Sequence, residues 1–130
     1  MVLVLLAMLA VGCTSTSRLR DGQRPADCVL DDQIAGTWKS FRMSQAGPAW
    51  TRYTLRCDCT YTSRVRLLWT GLVEHGSYHA RDGELRFFRP AGETTMPYRL
   101  DADRLVLQEH PTEEHGYRRT DRRVCGPPEP

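Results

Sequence analysis

The residues able to do chemistry fall into three groups. Cys57-Asp58-Cys59 is a C-x-C unit, a spacing that suits a redox couple or a thiolate metal site. His75, His110 and His115 stand among Glu74, Glu109, Glu113 and Glu114, and imidazoles with carboxylates can hold zinc or copper. Asp31-Asp32 and Asp101-Ala102-Asp103 bring acids close together, yet they fall where caps and turns want them. The spacings argue against catalysis. There is no H-x-H or H-E-x-x-H pair, no serine or cysteine nucleophile recognisable beside a histidine, and no glycine-rich phosphate loop. We therefore expect no catalytic residue, no resident metal and no cofactor, and read the histidine- and glutamate-bearing stretches as loops at one end of a domain. A formal charge of +2 is too balanced to indicate nucleic acid.

Residues 2–11 are continuously apolar and lead into Gly12-Cys13. A membrane span needs about 20 such residues, so this run reads as the core of a signal peptide over 1–12. Leu9-Ala10-Val11-Gly12-Cys13 resembles the bacterial lipobox, with Ala10 where leucine is more usual. The resemblance implies that Cys13 is acylated, by palmitate or a similar chain, and that the partner is a lipid bilayer of the bacterial cell envelope. Thr14 is not the acidic residue that commonly holds such proteins at the inner membrane, which favours the outer one. No Lys or Arg precedes the apolar run, which suggests a misplaced start codon. Residues 13–27 then form the lipidated cysteine and a flexible tether with no apolar face, with a reach of about 50 Å at 3.3–3.6 Å per residue. Residues 127–130 read as a disordered tail.

The elements that must position everything else start at Ile34. Eight runs alternate with period two, at approximately 34–43, 50–57, 60–69, 76–80, 84–89, 95–101, 104–109 and 115–121. Turn chemistry separates them, as at Gly47-Pro48, Thr70-Gly71, Asp82-Gly83 and Ala91-Gly92. Alternation puts Trp38, Tyr53, Tyr61, Trp69, Tyr78, Phe87, Tyr98 and Tyr117 on one face, and Lys39, Arg52, Arg56, Arg64, Arg66, Arg104 and Arg118 on the other. Eight antiparallel strands, each with one apolar face, bury that face within a single sheet only by closing on themselves. We expect an all-β, eight-stranded antiparallel up-and-down barrel over residues 28–126.

Gly36-Thr37-Trp38, the Tyr53-Thr54-Leu55 to Tyr61-Thr62 hairpin, Gly76-Ser77-Tyr78 before Asp82-Gly83, Tyr98-Arg99-Leu100 to Leu105-Val106-Leu107, and Tyr117-Arg118-Arg119 follow in order. In that order and spacing the chain resembles the small lipocalin-like domains of bacterial lipoproteins, within the calycin group. The resemblance implies a barrel floor in which Trp38, behind Gly36, packs against Arg119. It departs at Cys57-Asp58-Cys59, where such domains commonly carry a glycine-containing turn.

With Cys13 spent on lipid, Cys28, Cys57, Cys59 and Cys125 remain, an even number for an oxidising compartment. An up-and-down barrel brings all four to the floor. Bonding Cys57 to Cys59 would close a very small ring, so Cys28 and Cys125 are each expected to take one of the pair. The inward rings leave two functions open. Tyr53, Tyr61, Trp69, Tyr78, Phe87, Tyr98 and Tyr117 either line a pocket for a small apolar or amphipathic ligand, or fill the barrel and leave a non-enzymatic module that docks on an envelope protein through its mouth, with Trp50 as anchor. The outer arginines on strands 2 and 3 are either simply wet or lie on anionic headgroups.

Overall fold

The computed structural model describes residues 26–45 and 47–126. The signal segment, Cys13, the tether up to residue 25 and the tail 127–130 lie outside the described residues. Within them the chain forms β1 (Gly36–Ser44), β2 (Gly47–Leu55), β3 (Thr60–Arg66), β4 (Gly71–Arg81), β5 (Glu84–Arg89), β6 (Gly92–Asp101), β7 (Arg104–His110) and β8 (Glu113–Arg122). Each strand pairs with its sequence neighbour and β8 returns to β1, so the sheet is a closed up-and-down barrel.

Local chemistry explains the hairpins. Asp82 (φ 52°) and Gly83 (φ 75°) both take positive φ, the backbone of a two-residue turn whose twist matches the strands it joins. Closure needs a glycine. Gly36 has φ 148°, and a Cβ there would overlap the Asp121 carbonyl oxygen, so its absence lets β8 cross close to β1. Gly36 thus makes room for a strand. Gly76 makes room for a ring: a Cβ at that position would lie 2.7 Å from Cε1 of Tyr61.

Several strand ends differ from those expected. β3 stops at Arg66 because Leu67 N–H donates to the Thr70 carbonyl (2.8 Å) and turns the chain. β4 begins at Gly71 and not at 76, pairing Leu72 with Val65 and Glu74 with Ser63. The core is one cluster around Trp38, Tyr61, Tyr78 and Phe87, all fully buried. Phe87 stacks on Tyr53 (5.5 Å between centroids) and meets Tyr61 edge-on (4.8 Å).

Candidate functional site

The floor is built from the chain before β1. Asp31 turns it, accepting the Ile34 N–H at its carbonyl (3.0 Å) and the Gln33 N–H at Oδ1 (3.1 Å). This seats Ile34 under the barrel, where its carbonyl accepts the Trp38 indole N–H (2.9 Å). The Arg119 guanidinium lies 4.3 Å from the indole centroid and donates to the Gln33 carbonyl. Burial, with help from Arg122, lowers the Arg119 pKa, and its Nε and Nη1 have no hydrogen-bond partner among the described residues. The indole face is the compensation that holds this cation in place. Cys28 is bonded to Cys59 and Cys57 to Cys125, with Cα separations of 5.7 and 5.3 Å. All four thiols of the described residues are therefore committed, and the C-x-C unit offers neither a thiolate nor a dithiol.

Above the aromatic core the interior turns polar, and here the sequence reading needs correction. Glu74, His75, Glu109, Glu113, Glu114 and His115 lie within β4, β7 and β8 and not on loops, and His110 ends β7. Glu74 accepts from the Tyr61 hydroxyl (2.7 Å) and Glu109 from Tyr117 (2.5 Å). At the floor end, Tyr78 donates to the Arg56 carbonyl (2.7 Å) and Tyr98 to Asp31 (2.9 Å). Burial, with the neighbouring carboxylates, pushes the Tyr61, Tyr98 and Tyr117 pKa values well above the usual phenol range. These phenols are fixed donors to protein acceptors. Arg42 bonds Glu109 (2.9 Å), and Arg89 lies 3.5 Å from Glu74 and over the Phe87 ring.

Ser40 Oγ is hydrogen-bonded to His115 Nε2, a pairing of residues 75 positions apart that the sequence did not signal. A nucleophilic serine needs more than a base. Among the described residues no hydrogen bond reaches the other ring nitrogen, and Glu109, the nearby carboxylate, is engaged by Arg42 and Tyr117. Among the described residues no acid orients this pair in the manner of a catalytic triad. Nor do any three His, Cys, Asp or Glu side chains among the described residues cluster to hold a metal ion.

This cluster makes stability depend on acid. The His115 pKa is lowered, by burial first and then by Arg42, against the opposing pull of Glu109 and Glu113. Burial raises that of Glu109, but the bonds from Tyr117 and Arg42 outweigh it and leave it below 4.5. In both cases the unfolded chain binds protons more readily, so the stabilisation is complete above the unfolded pKa and fades as pH falls toward the folded one. The loss starts below 6.5 for His115 and below 4.5 for Glu109. The melting midpoint should fall as pH drops from about 7 to about 5, and His115→Gln should flatten that limb. A wild-type midpoint constant over that range would rule out the His115 contribution.

Trp69 does not line the interior. It is 92% exposed at the turn between β3 and β4, so the alternation that placed it inside ended three residues earlier. Tyr53, Tyr61, Tyr78, Phe87 and Tyr117 are buried inside and Tyr98 is partly buried against the core. On the outside, cross-strand register sets Arg104 opposite Arg118, Arg118 opposite Lys39, Lys39 opposite Arg52, and Arg52 opposite Arg64. Five exposed cations thus form one row across five strands, and none makes an ion pair among the described residues. Like charges placed directly opposite one another destabilise a sheet. Towards the mouth from this row lie Phe41, Met43, Trp50, Leu68 and Trp69, all exposed. Between row and tip runs a surface groove of about 630 Å³ lined by Lys39, Arg52, Arg64, Arg66, Trp50 and Leu68.

The fold and this geometry define a small closed β-barrel with a disulfide-tied floor. No family model matches the chain, and no curated protein matches it. Among solved structures it is similar to a lipoprotein, YedD, from Klebsiella pneumoniae subsp. pneumoniae MGH 78578, with a TM-score of 0.56 at 13% identity, over 75% of this chain and 80% of the other. At that identity the likeness is one of fold.

Proposed function

We propose that the chain is a lipoprotein of the bacterial cell envelope, acylated on Cys13, whose filled lipocalin-like barrel works by docking through its outer surface and not by enclosing a guest or by catalysis. One observation carries the reading. Tyr61, Tyr78, Tyr98 and Tyr117 each spend the hydroxyl on a protein acceptor, so these four phenols have no donor to offer a ligand. The groove of the barrel lies outside. The lipobox-like residues 9–13 and the likeness in fold to a lipoprotein support the anchor, and Thr14 favours the outer membrane.

A second reading, a small amphipathic ligand held shallowly at the mouth, has Arg89 in its favour, since its Nε is buried without an acceptor among the described residues. Native mass spectrometry of protein extracted from membranes separates the two. The acylated chain, alone or with phospholipid, supports docking; a retained non-covalent adduct of any other kind supports the ligand. Cys13→Ala should move the protein from the membrane to the soluble fraction with its melting midpoint unchanged, and persistence in the membrane would refute acylation as the anchor.

A further inference from the structure

We infer that the outer face of β1, β2 and β3, with the β1–β2 and β3–β4 hairpin tips, docks on an anionic lipid bilayer: the exposed aromatic and aliphatic side chains enter the interface, and the cationic row behind them meets the phosphates. The inference rests on the docking reading and names its partner.

The exposed apolar residues are not scattered. Apart from Val29 and Val124, which belong to the floor segments, the large ones all sit on β1–β4 and its hairpins: Phe41, Met43 and Trp50 on the first pair, Leu68, Trp69, Leu72 and Val73 on the second. Phe41 and Trp50 face each other across the ladder with ring centroids 5.3 Å apart. Aromatic rings with one polar edge are the side chains that partition to the level of lipid headgroups.

Charge complementarity identifies the occupant. Lys39 lies two residues behind Phe41 and four behind Met43 on the same face of β1, about 7 and 13 Å at the rise of a strand. That offset matches the depth of a headgroup layer, roughly 5–7 Å on each side of the hydrocarbon. The groove between presents Lys39, Arg52, Arg64 and Arg66 and no acidic side chain. A folded partner would need acids of its own at this spacing; a bilayer with anionic lipids supplies phosphates at any position. Acids stand near only the β7 end of the row, where Asp101 is opposite Arg104; the Lys39, Arg52 and Arg64 part on β1–β3 has like charges facing one another without an ion pair among the described residues, which weakens the sheet and fits a surface whose countercharge arrives from outside.

The tether permits this orientation. It joins the barrel at the floor, the end away from the tips, but the residues between Cys13 and Cys28 can extend about 50 Å, beyond the roughly 30 Å of the nine-residue β1. An anchor at Cys13 therefore does not force the floor towards the membrane.

The test uses the full chain carrying Cys13→Ala, so that docking is read without the acyl anchor. Because the apolar residues 2–11 can hold a chain on a vesicle unaided, the readout is local: quenching of Trp50 and Trp69 emission by brominated lipids, with buried Trp38 as internal reference. Strong quenching is expected on phosphatidylglycerol vesicles and little on pure phosphatidylcholine, with binding that weakens as salt rises. Each surface cation is worth about fivefold in affinity, so Arg52→Gln with Arg64→Gln should weaken binding to phosphatidylglycerol by about 25-fold. Arg81→Gln with Arg86→Gln, off the row, should leave it unchanged. Absent quenching on phosphatidylglycerol, or a row variant that binds like its parent with an unchanged melting midpoint, overturns the inference. Photo-crosslinking from position 50 that captures an envelope protein while brominated lipid quenches nothing also overturns it, yet leaves the docking reading intact. A retained adduct other than a phospholipid in native mass spectrometry removes the docking reading, and the inference that rests on it falls with it.

Discussion

Reduction of both disulfides should lower the melting midpoint of the barrel by roughly 20 °C or more. The two bridges close loops with sequence separations of 31 and 68 residues, and constraining loops of that size in the unfolded chain is worth about 4 kcal/mol each. A domain of this length has a net stability of only about 5–15 kcal/mol, so the bridges are a large share of it. The effects will not add fully, because Cys57 and Cys59 are separated only by Asp58 and the two loops overlap. Paired variants resolve the order. Cys57→Ser with Cys125→Ser should cost about 0.7 kcal/mol more than Cys28→Ser with Cys59→Ser, from loop length alone. Thermal melts of oxidised and reduced protein, with thiols counted, check this. Equal midpoints with all four thiols free would mean that the strands close the barrel without help.

The lower half of this barrel was legible and the upper half was not, and the difference is chemical. Near the floor, inward positions are rings and aliphatics, so oily and charged residues alternate and the strands can be read directly, as in Glu84–Arg89 and Arg104–His110. Near the mouth the inward positions of the same strands are Ser40, Arg42, Ser63, Glu74, Arg89, Glu109 and His115. Polar residues then stand on both faces, the period disappears, and Gly71 to His75 reads as a loop when it is the first half of β4. Trp69 fails in the opposite way. It continues the alternation of β3 in sequence, but the Leu67–Thr70 turn has already ended the strand.

The candidate surface was legible only in pieces. Arg52 and Arg64 were assigned to the outside from alternation, and so were Lys39, Arg104 and Arg118. That the five form one row depends on the registers of β7 with β8, β8 with β1, β1 with β2 and β2 with β3. Of these, the β8–β1 pairing joins residues about 80 apart and includes a register shift between Thr37 and Trp38, so no local pattern encodes it. The same shift sets Trp38 opposite Arg119. Closure of the barrel therefore creates both the floor contact and the cationic row.

Trp38→Ala should destabilise the protein by about 3–5 kcal/mol, the range for truncating a fully buried aromatic side chain. Three contacts go with the ring. The core loses its largest buried side chain, the Ile34 carbonyl loses the indole donor, and Arg119 loses the π face that offsets its burial. Two further variants separate these contributions. Trp38→Phe keeps a ring beneath Arg119 and should cost less, chiefly the Ile34 bond and some packing, about 1–2 kcal/mol. Arg119→Gln in the Trp38→Ala background should recover part of the loss, because the cation left without its ring is the costly element. The cysteine bridges keep the unfolded chain constrained in all three, so each melt reports the floor itself. A midpoint unchanged in Trp38→Ala would mean that the barrel is closed by its hydrogen-bond ladder alone, and the pairing of indole with guanidinium would then be incidental to the fold.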